Sequence, residues 1–442
     1  MVCRPFRVLA SMVVIGWATM SLPAQAMDVV RVTSPGGIEA WLVEDHANPI
    51  VDMEIEFVGG SSQEPADKAG LATLAAGLLD EGAGPYDSQT FQAKLEDMAI
   101  ELSFSAGHDS FRGHLKTLSR NEDQAFDLFH LALTEPRFDK KPLERVRAQL
   151  LSQILDARSR PSSIAARAWF ADHFPDHPYG RPVLGTEDSV KKLGVADLRP
   201  WVAHHLARDT MIVGVCGDIT PQQLADRLDT VFGALPPKAA ATPVSDVRIA
   251  GKGAVRIIDR PIPQSVAIFG APGLKRDDPD WYAALVMNYI LGGGGFSSWM
   301  TDEVREKRGL AYSVSTELQP MAHSGLILGS VATRNEKLGQ SIEIIRQQWD
   351  RMREQGPSDA EIADAKTFLT GSFPLQFDST TSVAALMVSL QRDHLGIDYL
   401  SRRDSLINGV ARDDIVRVAK RLLIPGGLDF AVVGHPEGVA HR

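Results

Sequence analysis

The sequence predicts an α+β fold made of two tandem homologous domains, each a mainly antiparallel sheet covered on one face by helices. Three observations predict it. Period-two and period-3.6 apolar patterns interleave along the chain, with hairpin-like strand pairs. One order of motifs recurs at long spacing, which points to a duplicated domain rather than a short-repeat solenoid. The chain has 442 residues, more than one hydrophobic core usually supports.

Residues 1–26 read as a secretory signal. Arg4 and Arg7 form a positive start, Val8 to Leu22 is a short apolar run, and Ala24-Gln25-Ala26 is an Ala-x-Ala cleavage signal. The run is too short for a membrane span, and no later stretch approaches that length. An exported, periplasmic mature chain beginning at Met27 is therefore expected.

The first domain is placed at 27–235. A strand pair falls near Ile38 to Val58, followed by a helix over Gly70 to Asp80 with Leu71, Leu74, Ala75, Leu78 and Leu79 on one face. Phe91, Leu95 and Met98 share the face of a second helix, with Ser88 as its N-cap. Ile100 to Ser105 alternates as a strand. Leu118-Ser-Arg-Asn-Glu opens an almost fully buried helix carrying Phe126, Leu128, Phe129, Leu131 and Leu133, and an apolar strand over Ile212 to Gly217 closes the unit. A linker at 236–249 follows from the run Leu235-Pro-Pro-Lys-Ala-Ala-Ala-Thr-Pro, which is stiff and extended by composition. The second domain, 250–442, repeats the order. A strand over Ser265 to Gly270 precedes a helix over Trp281 to Leu291, Ala332-Thr-Arg-Asn-Glu opens another helix, and Phe430-Ala-Val-Val-Gly-His forms the last strand.

Composition excludes several classes of partner. Acidic residues outnumber basic ones, 56 to 46, which disfavours nucleic acid. Cys3 departs with the signal, and Cys216 lies in an apolar strand as core packing, so no disulfide framework is available within one mature chain.

The chemistry concentrates in Gly292–Val314, GGGGFSSWMTDEVREKRGLAYSV. It reads as a glycine turn, then an amphipathic helix carrying Phe296, Trp299, Met300 and Val304, then a strand. Gly309 stops the helix, and the strand returns Tyr312 to the neighbourhood of Arg305. A cation and a phenol converging in this way suit a polarised or anionic oxygen. The plainer alternative makes Arg305 one charge of a solvated run and Tyr312 a sheet residue. Gly292, Gly293, Gly294 and Gly295 fit neither a P-loop nor a dinucleotide fingerprint, because no Gly-Lys-Ser/Thr follows them and no strand precedes them.

This stretch closely resembles the C-terminal half of the insulinase-type, or M16, zinc peptidases. The duplicated layout, the Gly70-Leu-Ala helix, His177-Pro-Tyr-Gly-Arg-Pro-Val-Leu-Gly and the Val-Gly-x-x-Gly-Asp strand end extend the resemblance over almost all of the mature chain. It is similar to the short bacterial members and to the mitochondrial processing peptidase subunits. The resemblance implies that Arg305 and Tyr312 bind the substrate carbonyl, and that Gly292 to Gly295 form a substrate-recognition loop. Glycine suits that role, since it lets a passing peptide approach the backbone closely.

The zinc half of that machinery is missing. Active members carry His-x-x-Glu-His on the first helix, an inverted zinc motif. Aligned on Gly70-Leu-Ala, its histidines fall on Thr73 and Gly77, its glutamate on Ala76, and the third ligand on about Ser152. None of these can ligate zinc or act as a base near neutral pH. Other histidines do not rebuild the site. Pro175 and Pro178 interrupt any helix through His173 and His177, His204 and His205 are adjacent, and His435 and His441 lack a helical pattern.

The resemblance therefore implies a zinc-free subunit of a heterodimeric peptidase. Its partner bears His-x-x-Glu-His and the zinc, its substrate is unfolded peptide, and it has no activity alone. The alternative is an inactive peptide-binding or scaffold protein.

Overall fold

The computed structural model describes residues 27–240 and 242–440. The signal segment and Cys3 lie outside the described residues, as does His441. The first sheet uses β1 (Val29–Thr33), β2 (Glu39–Glu44), β3 (Ile50–Val58), β4 (Glu101–Ala106), β5 (Ser110–Leu118) and β6 (Met211–Gly217), in the order β1-β2-β6-β3-β5-β4. The second uses β7 (Val255–Asp259), β8 (Gln264–Pro272), β9 (Ser313–Met321), β10 (Ser324–Arg334) and β11 (Asp429–Gly434), in the order β7-β11-β8-β10-β9. Each sheet contains one parallel pair, β2 with β6 and β7 with β11, and every other pairing is antiparallel. Superposing the orders matches β2 to β7, β6 to β11, β3 to β8, β5 to β10 and β4 to β9. The strands of the expected Ile38–Val58 pair are thus not neighbours. β6, brought back from the end of the half, lies between β2 and β3.

The helices echo each other too. Glu122–Thr134 follows β5 and Asn335–Glu354 follows β10, at the paired Arg-Asn-Glu motifs. Leu131 is only partly buried, while Phe126, Leu128, Phe129 and Leu133 are buried. The helix Ser88–Asp97 is capped by Asp87, whose side chain accepts from the Thr90 N–H at 2.9 Å. Ser88 instead donates to Glu81 at 2.6 Å. An ionised carboxylate is the stronger acceptor for an N-terminal N–H, so the cap moves one residue back.

One core lies between each sheet and its own helices. The opposite face of each sheet is also partly covered, by a helix from the other half. Thr380–Arg392 crosses β2, β3 and β6, burying Val383, Ala384 and Met387 against Trp41, Val43 and Cys216. Pro161–His173 crosses β8 and β11, burying Ala168 and Trp169 against Leu328 and Ala431. Gly214 in β6 allows the first of these contacts. A Cβ there would stand 2.3 Å from the Ala384 carbonyl oxygen, so only glycine lets the helix backbone settle on the strand. Burial pushes the Cys216 thiol in this seam up to about 12, which makes it inert.

The two halves are also stitched at their hairpin tips. Tyr179, in the His177-Pro-Tyr-Gly motif, donates its hydroxyl to Asp109 at 2.7 Å and accepts from the His323 N–H at 3.0 Å. Asp109 belongs to the β4–β5 connection and His323 to the β9–β10 connection.

The covered face of β3 is acidic. Asp52, Glu54 and Glu56 alternate with the core residues Val51, Met53, Ile55 and Phe57, and stand opposite Lys116, His114 and Arg112 of β5. Asp52 pairs with His114 Nε2 at 2.9 Å and accepts from the Thr381 hydroxyl at 2.6 Å. Glu56 accepts from Arg112 at 2.9 Å and Arg392 at 3.3 Å. Burial opposes the Asp52 charge, but hydrogen bonds from His114 and Thr381 outweigh it and hold the carboxyl below its ordinary range. The Asp52 bond raises His114. Burial pushes Glu54 up to about 7.

The signs combine into a pH profile. Asp52 stabilises the fold above its unfolded value of about 3.9, and its contribution is lost as pH falls through its lower folded value. His114 stabilises fully below its unfolded value of about 6.5, and loses that contribution as pH rises through its higher folded value. The raised Glu54 also favours the folded state at low pH, and that advantage is lost on rising from about 4.3 to about 7. The thermal midpoint should therefore peak at about pH 4 and fall towards about pH 8. Scanning calorimetry across that range checks it, and Glu54→Gln should flatten the decline, raising the alkaline midpoint by about 1–3 °C. An unchanged slope in that variant would remove Glu54 from the account.

Candidate functional site

Arg305 and Tyr312 come together at the exposed end of the second half. The expected amphipathic helix is broken into short pieces: a single turn at Trp299–Thr301, then a wide π-helical turn at Asp302–Glu306. Trp299, Met300 and Val304 are buried beneath it, whereas Phe296 is 66% exposed. The Gly309 N–H donates to the Arg305 carbonyl at 2.8 Å, and the Leu310 N–H to the Val304 carbonyl at 2.9 Å, turning the chain back. Thr301 donates to the Val314 carbonyl at 3.2 Å and Thr333 to the Leu310 carbonyl, pinning both ends of the return. Tyr312 sits in the bend immediately ahead of β9 rather than within the strand.

The result is a sandwich. The Arg305 guanidinium lies 4.4 Å from the Phe296 ring centre and 5.0 Å from the Tyr312 ring centre. Two aromatic faces fix a cation by cation–π attraction while leaving its edge N–H groups able to donate. Its neighbours in the charge run go elsewhere: Lys307 pairs with Asp302 and Glu303, and Arg308 pairs with Glu303. Arg305 keeps one loose ion pair, to Glu306 at 3.3 Å. Tyr312 is 82% exposed, and its hydroxyl has no hydrogen-bond partner among the described residues. The expected amphipathic helix carries Phe296 with the buried Trp299, Met300 and Val304, but the structure leaves Phe296 outside it. Its place immediately after four glycines, ahead of the helical turn, was the available signal that it belongs to the loop.

The glycine loop divides. Gly292 is buried against β9, where a Cβ would stand 2.5 Å from Thr316 Oγ1, so glycine lets the loop pack on the strand. Gly293 and Gly295 are exposed and Gly294 is half-buried beside the Tyr289 ring. Phe368 lies against that ring at 5.1 Å between centres, tilted by 31°, and is itself 54% exposed, which extends the aromatic surface.

Residues 40–187 match the insulinase (peptidase family M16) domain, and residues 192–369 match the peptidase M16 inactive domain. The chain belongs to the M16 peptidase family. Among its M16 relatives, the Helicobacter pylori protein named non-peptidase homolog YmxG is 28% identical over 404 residues, covering 89% of this chain and 90% of the relative. An uncharacterized zinc protease of Streptomyces coelicolor is 28% identical over 407 residues, covering 89% and 87%. A solved peptidase M16 inactive domain from Pseudomonas fluorescens shares the fold, with a TM-score of 0.86 and 24% identity, covering 94% of this chain and 99% of that one. So does a chain of complex III2 from Candida albicans, with a TM-score of 0.76, 16% identity, and coverage of 94% and 98%.

The residues expected at the M16 zinc positions do not fit a metal here. Thr73 and Ala76 lie on the helix Leu71–Ala76, and Gly77 caps its end. The Thr73 hydroxyl is committed to the Val183 carbonyl at 2.8 Å. A Cβ on Gly77 would stand 2.9 Å from a Val146 methyl, so the space a histidine ring needs is filled by the helix Lys140–Ser159. Ser152 lies on the exposed side of that helix, off the stripe of Val146 and Leu150 that meets the core. His173 bonds Asp429 at 2.9 Å and the Trp169 carbonyl at 2.7 Å, and His177 bonds the Ser245 carbonyl at 3.0 Å. Among the described residues no group of three or more His, Cys, Asp or Glu could hold a metal ion.

Proposed function

We propose that this chain is the zinc-free subunit of a periplasmic heterodimeric M16 peptidase, binding unfolded peptide and presenting Arg305 and Tyr312 to the scissile carbonyl at its partner's zinc site. The observation that carries it is the exposed Arg305–Tyr312 pair. A guanidinium held between two rings, one of them a phenol whose hydroxyl has no partner among the described residues, is an arrangement for receiving oxygen from outside the chain. Peptide hydrolysis builds negative charge on the carbonyl oxygen, and preorganised donors aimed at it act mostly in the transition state. The exposed Gly293 and Gly295 give an extended peptide room to pass close to the backbone. The name of the Helicobacter pylori relative, a non-peptidase homolog, supports inactivity of the isolated chain.

The test is reconstitution with an exported His-x-x-Glu-His protein of similar length. The two should co-purify, and only the mixture should cleave an unfolded peptide. The chain alone should carry no stoichiometric zinc by elemental analysis and show no chelator-sensitive cleavage. About one tightly held zinc per isolated chain, with proteolysis, would overturn the reading.

A further inference from the structure

A cavity of about 510 Å³ opens where the two halves meet, between the helices Lys140–Ser159 and Pro161–His173, the 182–185 loop and β7. Ile154, Ile164, Leu184 and Ile258 supply apolar walls. Its rim is cationic: Arg158, Arg167, Arg256 and Arg260 all line it. Two of these have carboxylate partners, Arg158 with Glu187 at 3.0 Å and Arg256 with Asp172 at 2.5 Å. Arg167 and Arg260 have no side-chain partner among the described residues. A second hollow of about 240 Å³ shares Arg158, Ile164 and Arg260 with the first, so the space is elongated. The loop that floors it includes Val183, whose carbonyl accepts the Thr73 hydroxyl.

Apolar walls favour a hydrocarbon or aliphatic chain, and two unpaired guanidiniums at the mouth favour a planar anion that accepts forked hydrogen bonds. We infer that this cavity binds an apolar chain ending in a carboxylate, with Arg167 and Arg260 holding the carboxylate and Ile154, Ile164 and Ile258 the chain. The volume lies within the range of small-molecule sites, and suits a medium-length acyl chain or a few aliphatic residues at a peptide C-terminus. The inference does not rest on the proposed peptidase partner, because every lining residue belongs to this chain.

Titration calorimetry on the purified protein separates the possibilities. The probes are laurate and the acetylated tripeptide Ala-Ile-Leu with a free C-terminus, each beside its uncharged counterpart, dodecanol and the tripeptide amide. The charged form of at least one pair should bind about tenfold or more tightly than its neutral twin. The Arg167→Ala, Arg260→Ala double variant should lose at least about that factor, and raised salt should weaken binding. Ala171→Trp, which fills the cavity and leaves both guanidiniums, should also abolish binding. Preference for laurate assigns the site to a fatty acid, and preference for the peptide assigns it to a chain terminus. Equal binding of charged and neutral twins, no binding of either acid, or indifference to the arginine and Ala171 variants in folded protein would each overturn the inference.

Discussion

Arg305→Ala or Tyr312→Phe, assayed with an active partner bearing His-x-x-Glu-His, should lower kcat by about a hundredfold or more while leaving assembly and the partner's zinc content unchanged. Donors in the proposed role would act on charge that develops in the transition state, so the loss is expected in turnover rather than in complex formation. Tyr312→Phe is the cleaner variant. It keeps the ring that flanks the Arg305 guanidinium at 5.0 Å and removes only the unpartnered hydroxyl. Phe296→Ala makes a useful companion, since it strips the other face of the sandwich without touching a donor. Its effect should be smaller, because a cation–π contact at an exposed site contributes about 0.5–1 kcal/mol. Full cleavage by both donor variants in an intact complex would return Arg305 to the solvated charge run and favour a scaffold.

Trp169→Ala should be the most damaging single change to stability, lowering the unfolding free energy by about 3–5 kcal/mol. The indole is less than 2% exposed and fills the seam between the Pro161–His173 helix and the second sheet. It stacks on His173 at 3.9 Å between ring centres. His173 in turn bonds Asp429, which also accepts from the Lys252 and Ala254 N–H groups at 3.1 and 2.6 Å. Emptying this site therefore leaves a void and frees a histidine that orders the start of the second half. Trp169→Phe should be much milder, since the indole N–H has no hydrogen-bond partner among the described residues to lose. Denaturant unfolding measures both, and a loss below about 1 kcal/mol for the alanine variant would contradict the packing argument.

The duplicated strands were legible because alternation is a local property: the β3 and β8 patterns and the paired Arg-Asn-Glu motifs carry it without knowledge of the partner strand. The position of β6 between β2 and β3 was not, since pairing across more than a hundred and fifty residues leaves no mark on either strand. The approach of Tyr312 to Arg305 followed from one turn and one glycine stop. The wide turn at Asp302–Glu306 did not follow, because its apolar spacing at Trp299, Met300 and Val304 is equally that of a regular helix. The resemblance puts the M16 zinc positions at Thr73, Ala76 and Gly77, where the sequence shows no zinc-ligating side chain. Val146 filling the space beside Gly77 needed coordinates. So did the cavity, whose four arginines come from three separate segments.

The crossing of Thr380–Arg392 onto the first sheet and of Pro161–His173 onto the second has the form of a domain swap closed within one polypeptide. Neither half is a finished object. Removed from its counterpart, the first sheet would bare Trp41, Val43 and Cys216 beside its buried carboxylates, the second would bare Leu328 and Ala431, and each half would carry a stranded arm, the composition of an aggregating fragment. The described residues 236–240 and 242–254, which form no helix or strand, belong to a tether that raises local concentration, while cohesion comes from the exchanged arms. A cut in that tether should leave the two pieces locked together, as mutually obligate as two subunits of a dimer.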